Sequence, residues 1–94
     1  MRYFALRSFE KKFDSYAPAE QEIIEATLKE VRNYLDKGEA SFGLRIKQFS
    51  PRLYEARINI RLRIAFFREK DSVKFFCLGT HDDIKDCLKR FKLG

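Results

Sequence analysis

The chain has 94 residues, with 45% hydrophobic and 36% charged, a balance that suits one folded domain over 1–94 and excludes a disordered chain. No apolar run approaches the length of a membrane span, and the N-terminus MRYFALRSFEKKF lacks the long apolar core of a secretion signal, so a cytoplasmic protein is expected. Lys and Arg number 20 against 14 Asp and Glu, a formal charge of +6, which favours a polyanion or an acidic protein as partner.

Arg2 to Leu6 is short and aromatic and predicts a first strand. Ser8 is placed to cap a following helix, and Phe9, Phe13 and Tyr16 recur on one helical face. Pro18 suits a first helical position, with Glu20 and Glu22 in the favourable first turn. Ile23, Ile24, Thr27, Leu28, Val31, Tyr34 and Leu35 then predict a core-facing stripe, and Gly38 a stop. Ser8 to Lys37 therefore reads as a short helix and a long one, broken near Pro18.

Leu44 to Phe49 alternates as a strand does, and Pro51 breaks it. Leu53 to Phe67 (LYEARINIRLRIAFF) alternates almost without interruption, longer than most single strands. Parity selects the turn inside it. A two-residue loop at Asn59-Ile60 would pair Ile58 with Arg61 and mix the faces. A three-residue loop, Asn59-Ile60-Arg61, pairs Ile58 with Leu62 and Arg57 with Arg63 and keeps them clean. Asp71-Ser72 marks the next turn. Val73 to Leu78, continuously apolar apart from Lys74, has the pattern of a central strand, ended by Gly79. Thr80 is placed to cap a last helix with Asp83 as its capping-box partner, and Ile84, Leu88 and Phe91 form the inner face of that helix. The expected class is α+β: an N-terminal strand, a helical hairpin, an antiparallel meander of about four strands and a C-terminal helix.

No phosphate loop, GxSxG or HExxH motif is present. Cys77 and Cys87 match no zinc spacing, and with a single histidine a His-rich metal site is excluded; no metal and no cofactor are expected. Both cysteines are read as small buried hydrophobes, a disulfide being disfavoured in a reducing compartment. Asp82 and Asp83 read as helix-start residues. His81 follows the end of the central strand, a common place for a site, and an unperturbed histidine titrates near neutrality, as acid–base work requires. Arg57 and Arg63, placed side by side on the polar face, offer planar forks that match phosphate oxygens. Arg61, Arg45, Lys47 and Arg52 would widen that phosphate site, and Glu55 is the carboxylate on the same face.

These stretches carry a resemblance. LYEARI, RLRIAFF and VKFFCLGTHDDI, in that order and spacing, resemble the RelE/ParE superfamily of bacterial toxins from type II toxin–antitoxin pairs, over nearly the whole chain. The GTHDD stretch is similar to the YafQ-like branch, in which a histidine in that context is catalytic. The resemblance implies an mRNA endoribonuclease, an mRNA interferase acting on the ribosome, in which Arg63 contacts the scissile phosphate, Arg57 supports it and His81 holds the catalytic position after Gly-x. It also implies a cognate antitoxin as partner, acidic in view of the +6 charge. Two departures stand out: Cys87 falls where RelE-type toxins often carry a tyrosine, and no second histidine supplies a base. Glu55 is then the one carboxylate placed to accept the 2′-OH proton, or else it orients an arginine. The alternatives are a non-catalytic ParE-like inhibitor of DNA gyrase, and an RNA- or protein-binding domain that kept the fold.

Overall fold

The computed structural model describes residues 1–38 and 44–91; the single-domain reading of 1–94 extends beyond them to 39–43 and 92–94, which lie outside the described residues. In chain order the elements are β1 (Arg2–Ala5), α1 (Arg7–Asp14), α2 (Pro18–Lys37), β2 (Arg45–Gln48), β3 (Leu53–Arg57), β4 (Arg63–Arg68), β5 (Ser72–Gly79) and α3 (His81–Arg90). The strands form a five-stranded sheet in the order β1-β5-β4-β3-β2. β2 to β5 are an antiparallel meander, and β1 adds in parallel beside β5. The α+β architecture read from the sequence is the one observed.

Helices cover both faces. Phe9 of α1 and Ile24 and Val31 of α2 pack on Ala56, Ile64, Phe66, Val73 and Phe75. On the other face, Ile84 and Cys87 of α3 pack on Leu53, Ala65, Phe76 and Cys77. α3 covers only part of that second face, and the polar end of β3 and β4 stays outside it. Pro18 opens α2, and Gly38 closes it with φ 72°, the left-handed conformation that glycine adopts without penalty.

The strand pairing agrees with the parity argument. Ile58 N–H donates to the Leu62 carbonyl at 2.9 Å, so Asn59, Ile60 and Arg61 are the loop. Asn59 Oδ1 accepts from the backbone N–H groups of Arg61 and Leu62, each at 2.8 Å, and fixes that loop. Arg57 and Arg63 are direct cross-strand partners.

The pairing of β4 with β5 contains a feature that the sequence pattern hides. Ala65 pairs with Cys77 and Phe66 with Phe75, so Phe76 is the extra residue of a β-bulge. The bulge shifts side-chain parity by one. Phe75 and Leu78 thus face α1 and α2, while Phe76 and Cys77 both face α3.

Four expectations need correction. The α1 N-cap is Leu6, without a side-chain cap; Ser8 lies inside the helix, and its hydroxyl donates to the Phe76 carbonyl at 2.7 Å, tying α1 to β5 at the bulge. Ile23 is exposed at 46%, because the stripe on α2 runs through Ile24, Thr27 and Val31 instead. Phe91 stands at the end of α3 with 39% exposure, although its ring meets Phe76 edge-on. The cysteines are not free: Cys77 and Cys87 form a disulfide, their Cα atoms 6.0 Å apart. Gly79 turns the chain back at once, so a β5 residue and an inner α3 residue meet at a separation that suits the bond. No pattern of cysteine spacing along the chain encodes that reversal.

The disulfide closes a short loop, and restricting the unfolded chain over such a length is worth on the order of 3 kcal/mol. Reduction is therefore expected to lower the free energy of urea unfolding by that amount without changing the far-ultraviolet circular dichroism of the native state. An unchanged unfolding curve would mean that α3 is held by packing alone.

Candidate active site

Strand register builds the site. Arg45 pairs with Arg57, Arg57 with Arg63, and Arg63 with Gly79. One row of cations therefore crosses β2, β3 and β4 and ends at the junction of β5 with α3, where His81 begins. Directly paired residues point to the same face at roughly 5 Å spacing, so the three guanidinium stems stand side by side. Like charges so placed repel, and among the described residues neither Arg45 nor Arg57 forms an ion pair. The next row holds Lys47 opposite Glu55.

Arg63 is the most firmly held member. Its side chain is 17% exposed and its Nε lies 3.7 Å from Glu55 Oε1, an ion pair too long for a hydrogen bond. That Nε–H is buried and finds no hydrogen-bond partner among the described residues. At the other end of the guanidinium, Nη1 donates to His81 Nδ1 at 2.6 Å. A guanidinium has donors only, so Nδ1 is the acceptor in this contact. Glu55 thus braces Arg63 from one side, and Arg63 aims at His81 on the other.

His81 is the first residue of α3, and its position is fixed by the turn before it. Thr80 Oγ1 accepts from Asp83 N at 3.2 Å, and Thr80 N donates to Asp83 Oδ2 at 2.9 Å, a complete capping box. The backbone hydrogen bond from Thr80 holds the Asp83 carboxyl below its ordinary range against the opposing effect of burial, with the Thr80 side chain and Lys12 adding to the lowering. Lys12 Nζ stands 3.5 Å from Asp83 Oδ2. Lys12 gave no signal in the sequence, because its contact with Asp83 joins α1 to α3 across most of the chain.

The sign of the shift makes a prediction. A carboxyl lowered by folding adds stability above its unfolded value, near 3.9, and loses it as pH falls through the lowered value. Protection of the Thr80 amide, which donates to this carboxylate, is expected to weaken below about pH 4 ahead of global unfolding, and in Asp83→Asn it should be weaker already at neutral pH. Equal protection in the two proteins at neutral pH would remove the carboxylate from the cap.

Gly79 has φ 149°, and a Cβ added there would meet Asp83 Oδ2 at 2.5 Å and Cβ at 2.6 Å. Gly79→Ala should therefore cost about 1–3 kcal/mol through strain and displace the cap. Its urea midpoint should fall measurably, while Gly38→Ala, where a Cβ meets nothing within 4 Å among the described residues, costs only the strain of its φ. A Gly79→Ala protein as stable as the parent would contradict this tight approach.

The remaining sequence candidates divide. Arg45 and Lys47 are exposed on the face of Arg57 and Arg63. Arg61 is exposed in the hairpin loop beyond the row, and its charge acts on Tyr16, whose phenol is raised first by burial and then by Asp83 and Glu20. Arg52 is not with the others. It precedes β3, at the opposite end of that strand from Arg57, roughly 16 Å away at ~3.3 Å per residue. It lines a separate hollow with Ser50, Pro51, Phe67 and Glu69.

The arginine row is an open surface. A hollow of about 500 Å³ between α1 and α3 is lined by Lys11, Lys12, Asp83, Asp86, Arg90 and the disulfide, and neither Arg63 nor His81 borders it. An open, cationic face suits an extended polyanion better than a small enclosed substrate. Among the described residues no three of His, Cys, Asp and Glu come together as a metal site, and no helix is long and apolar enough to cross a membrane.

Comparison with known protein families finds no match, and neither does comparison with curated proteins. Solved structures do match. The chain is similar to one in the RelB-RelE antitoxin-toxin complex from Methanococcus jannaschii, at 15% identity and a TM-score of 0.63, covering 88% of this chain and 95% of that one. It is similar to a copper-bound mutant toxin from Helicobacter pylori, at 19% identity and a TM-score of 0.64, over 89% and 98% of the two chains. A chain of the archaeal RelE-RelB complex from Pyrococcus horikoshii matches at 16% identity and a TM-score of 0.62, over 84% and 92%. With nearly the full length of each chain matched, this protein has the RelE toxin fold.

Proposed function

We propose that this chain is the toxin of a toxin–antitoxin pair and acts as an endoribonuclease on mRNA at the ribosome. The observation that carries the reading is the contact of Arg63 with His81 at the end of the arginine row. A phosphate-binding cation and a proton-carrying group stand within one hydrogen bond of each other on an open face.

The reaction is attack of a ribose 2′-oxygen on the adjacent phosphorus, with rupture of the bond to the 5′-oxygen. The products are a 2′,3′-cyclic phosphate and a 5′-hydroxyl. Arg57 and Arg63 donate to the non-bridging oxygens, whose charge grows in the transition state. When the phosphate takes the Arg63 Nη1 donor, His81 Nδ1 loses its partner and is free to bind a proton. His81 as imidazolium then gives a proton to the departing 5′-oxygen. Glu55 is half-buried and braced against Arg63, which supports the orienting role and not the role of base. The proton of the attacking 2′-hydroxyl passes to water. Arg45 and Lys47 hold neighbouring phosphates, and Arg61 reaches those beyond the hairpin loop. Arg52 contributes at most to a distant stretch of the same strand.

The RelB-RelE and RelE-RelB complexes support an antitoxin as the protein partner. An acidic antitoxin laid along α2 and over the arginine row would neutralise part of the +6 charge and block the site.

Induction of the chain in growing cells, followed by mapping of mRNA 5′ ends, tests the reading. New 5′-hydroxyl ends inside coding regions are the expected result. Intact mRNA with supercoiling activity lost would favour the gyrase alternative, and no effect on either would leave a plain binding domain.

A further inference from the structure

Phe49 is a large aromatic side chain left 43% exposed just beyond β2. The sequence pattern treats it as the end of a strand, and nothing in the proposed chemistry uses it. Its surroundings give it a role. Arg45, Lys47 and Phe49 fall at alternate positions, and Lys47 Nζ stands 5.3 Å from the centre of the Phe49 ring. Lys47 is the cross-strand partner of Glu55, whose carboxylate braces Arg63, so the ring lies on the side of the sheet that carries the arginines. Phe49 N–H donates to the Leu53 carbonyl at 2.8 Å, which pins the backbone beneath the ring. Leu53 pairs with Phe67, whose ring stacks on Phe76 at 4.5 Å.

The face is therefore graded along the strands. Its first row is cationic, with Arg45, Arg57 and Arg63. Its second holds Lys47 and Glu55. Its third, with Phe49, Leu53 and Phe67, is apolar and aromatic. From Arg45 to Phe49 the distance is roughly 13 Å along the strand direction at ~3.3 Å per residue. A basic track that ends on an exposed ring is the combination that binds single-stranded nucleic acid, with phosphates on the cations and an unstacked base on the ring. Lys47 serves both, since its strand position lies between Arg45 and Phe49 and its ammonium stands 5.3 Å from the ring centre.

We propose that Phe49 is a base-stacking platform for an unpaired nucleotide flanking the phosphate held by the arginine row. This rests on the reading of that row as an RNA phosphate site and adds recognition of a base to it. Stacking tolerates any base, so the platform contributes affinity and register more than sequence choice.

The chain contains no tryptophan, so Phe49→Trp makes a single reporter of stacking. The probes are a 2′-O-methyl oligoribonucleotide, which lacks the attacking hydroxyl and stays intact, and inorganic polyphosphate, which offers the same charge without bases. The oligonucleotide should quench the Phe49→Trp emission and polyphosphate should not. Phe49→Ala should weaken oligonucleotide binding about 10-fold relative to polyphosphate binding, whereas Arg57→Ala should weaken both. If Phe49→Ala binds both probes as the parent does and the tryptophan is not quenched, while Arg57→Ala weakens both, the platform is wrong and the phosphate site stands. If the oligonucleotide does not bind the parent at all, the RNA reading falls and the platform with it.

Discussion

Replacing His81 with alanine should lower the rate of RNA cleavage by roughly 100- to 10,000-fold, the usual worth of a positioned general acid. The fold should survive, because His81 is exposed and the α3 cap is made by Thr80 and Asp83. A substrate with a 5′-thio linkage, whose leaving group needs no protonation, should restore much of the loss. His81→Gln should behave as the alanine protein does, since glutamine can accept a hydrogen bond from Arg63 in place of Nδ1 but cannot deliver a proton. A histidine that only positions Arg63 predicts the reverse: glutamine keeps most of the activity, and the thio substrate rescues nothing. Cleavage rates of three proteins on two substrates separate these cases.

Arg63→Ala carries the second large effect, and the structure divides it into two parts. Loss of one preorganised donor to a developing oxyanion costs on the order of 100-fold in rate. A place on the polar face of an alternating strand would by itself predict a stability change within about 0.5 kcal/mol. The observed burial argues for more. Glu55 has a side chain only 12% exposed, and Arg63 is its cation. Leaving that carboxylate unpaired should cost about 1–3 kcal/mol. At about 4–8 °C per kcal/mol for a domain of this size, the melting temperature should fall visibly. Arg63→Lys separates the two parts, since lysine keeps a charge opposite Glu55 but lacks the planar fork. It should melt near the parent and still cleave slowly. A lysine protein as unstable as the alanine protein would mean that the Glu55 pair contributes nothing.

The legibility of these features follows from their physics. The pairing of Arg57 with Arg63 was readable because the period of a strand is two, and a loop of the wrong parity would have put Arg61 into the core. The Thr80–Asp83 cap was readable because it is local and made by side chains that the sequence displays. The bulge at Phe76 was not, because Phe75, Phe76, Cys77 and Leu78 are all apolar and carry no polar marker to show which face each takes. The Cys77–Cys87 bond followed from the bulge and from the reversal at Gly79, and both are three-dimensional facts. In the sequence Arg52 stands among the cations that would widen the phosphate site. The direction of β3 then carries Arg57 to one end of the sheet and leaves Arg52 at the other. The pairing of Glu55 with Arg63 was half legible: the shared face followed from parity, but the 3.7 Å separation and the burial of both side chains are tertiary facts.

The central claim is that the arginine row and His81 together cleave RNA, and the chemistry of the cut ends tests it most directly. Purified chain incubated with mRNA, with and without ribosomes, should yield fragments ending in 2′,3′-cyclic phosphate and beginning with 5′-hydroxyl. The His81→Ala protein should yield almost none. Fragments with 5′-phosphate ends, or mRNA left whole by the parent protein under both conditions, would contradict the account.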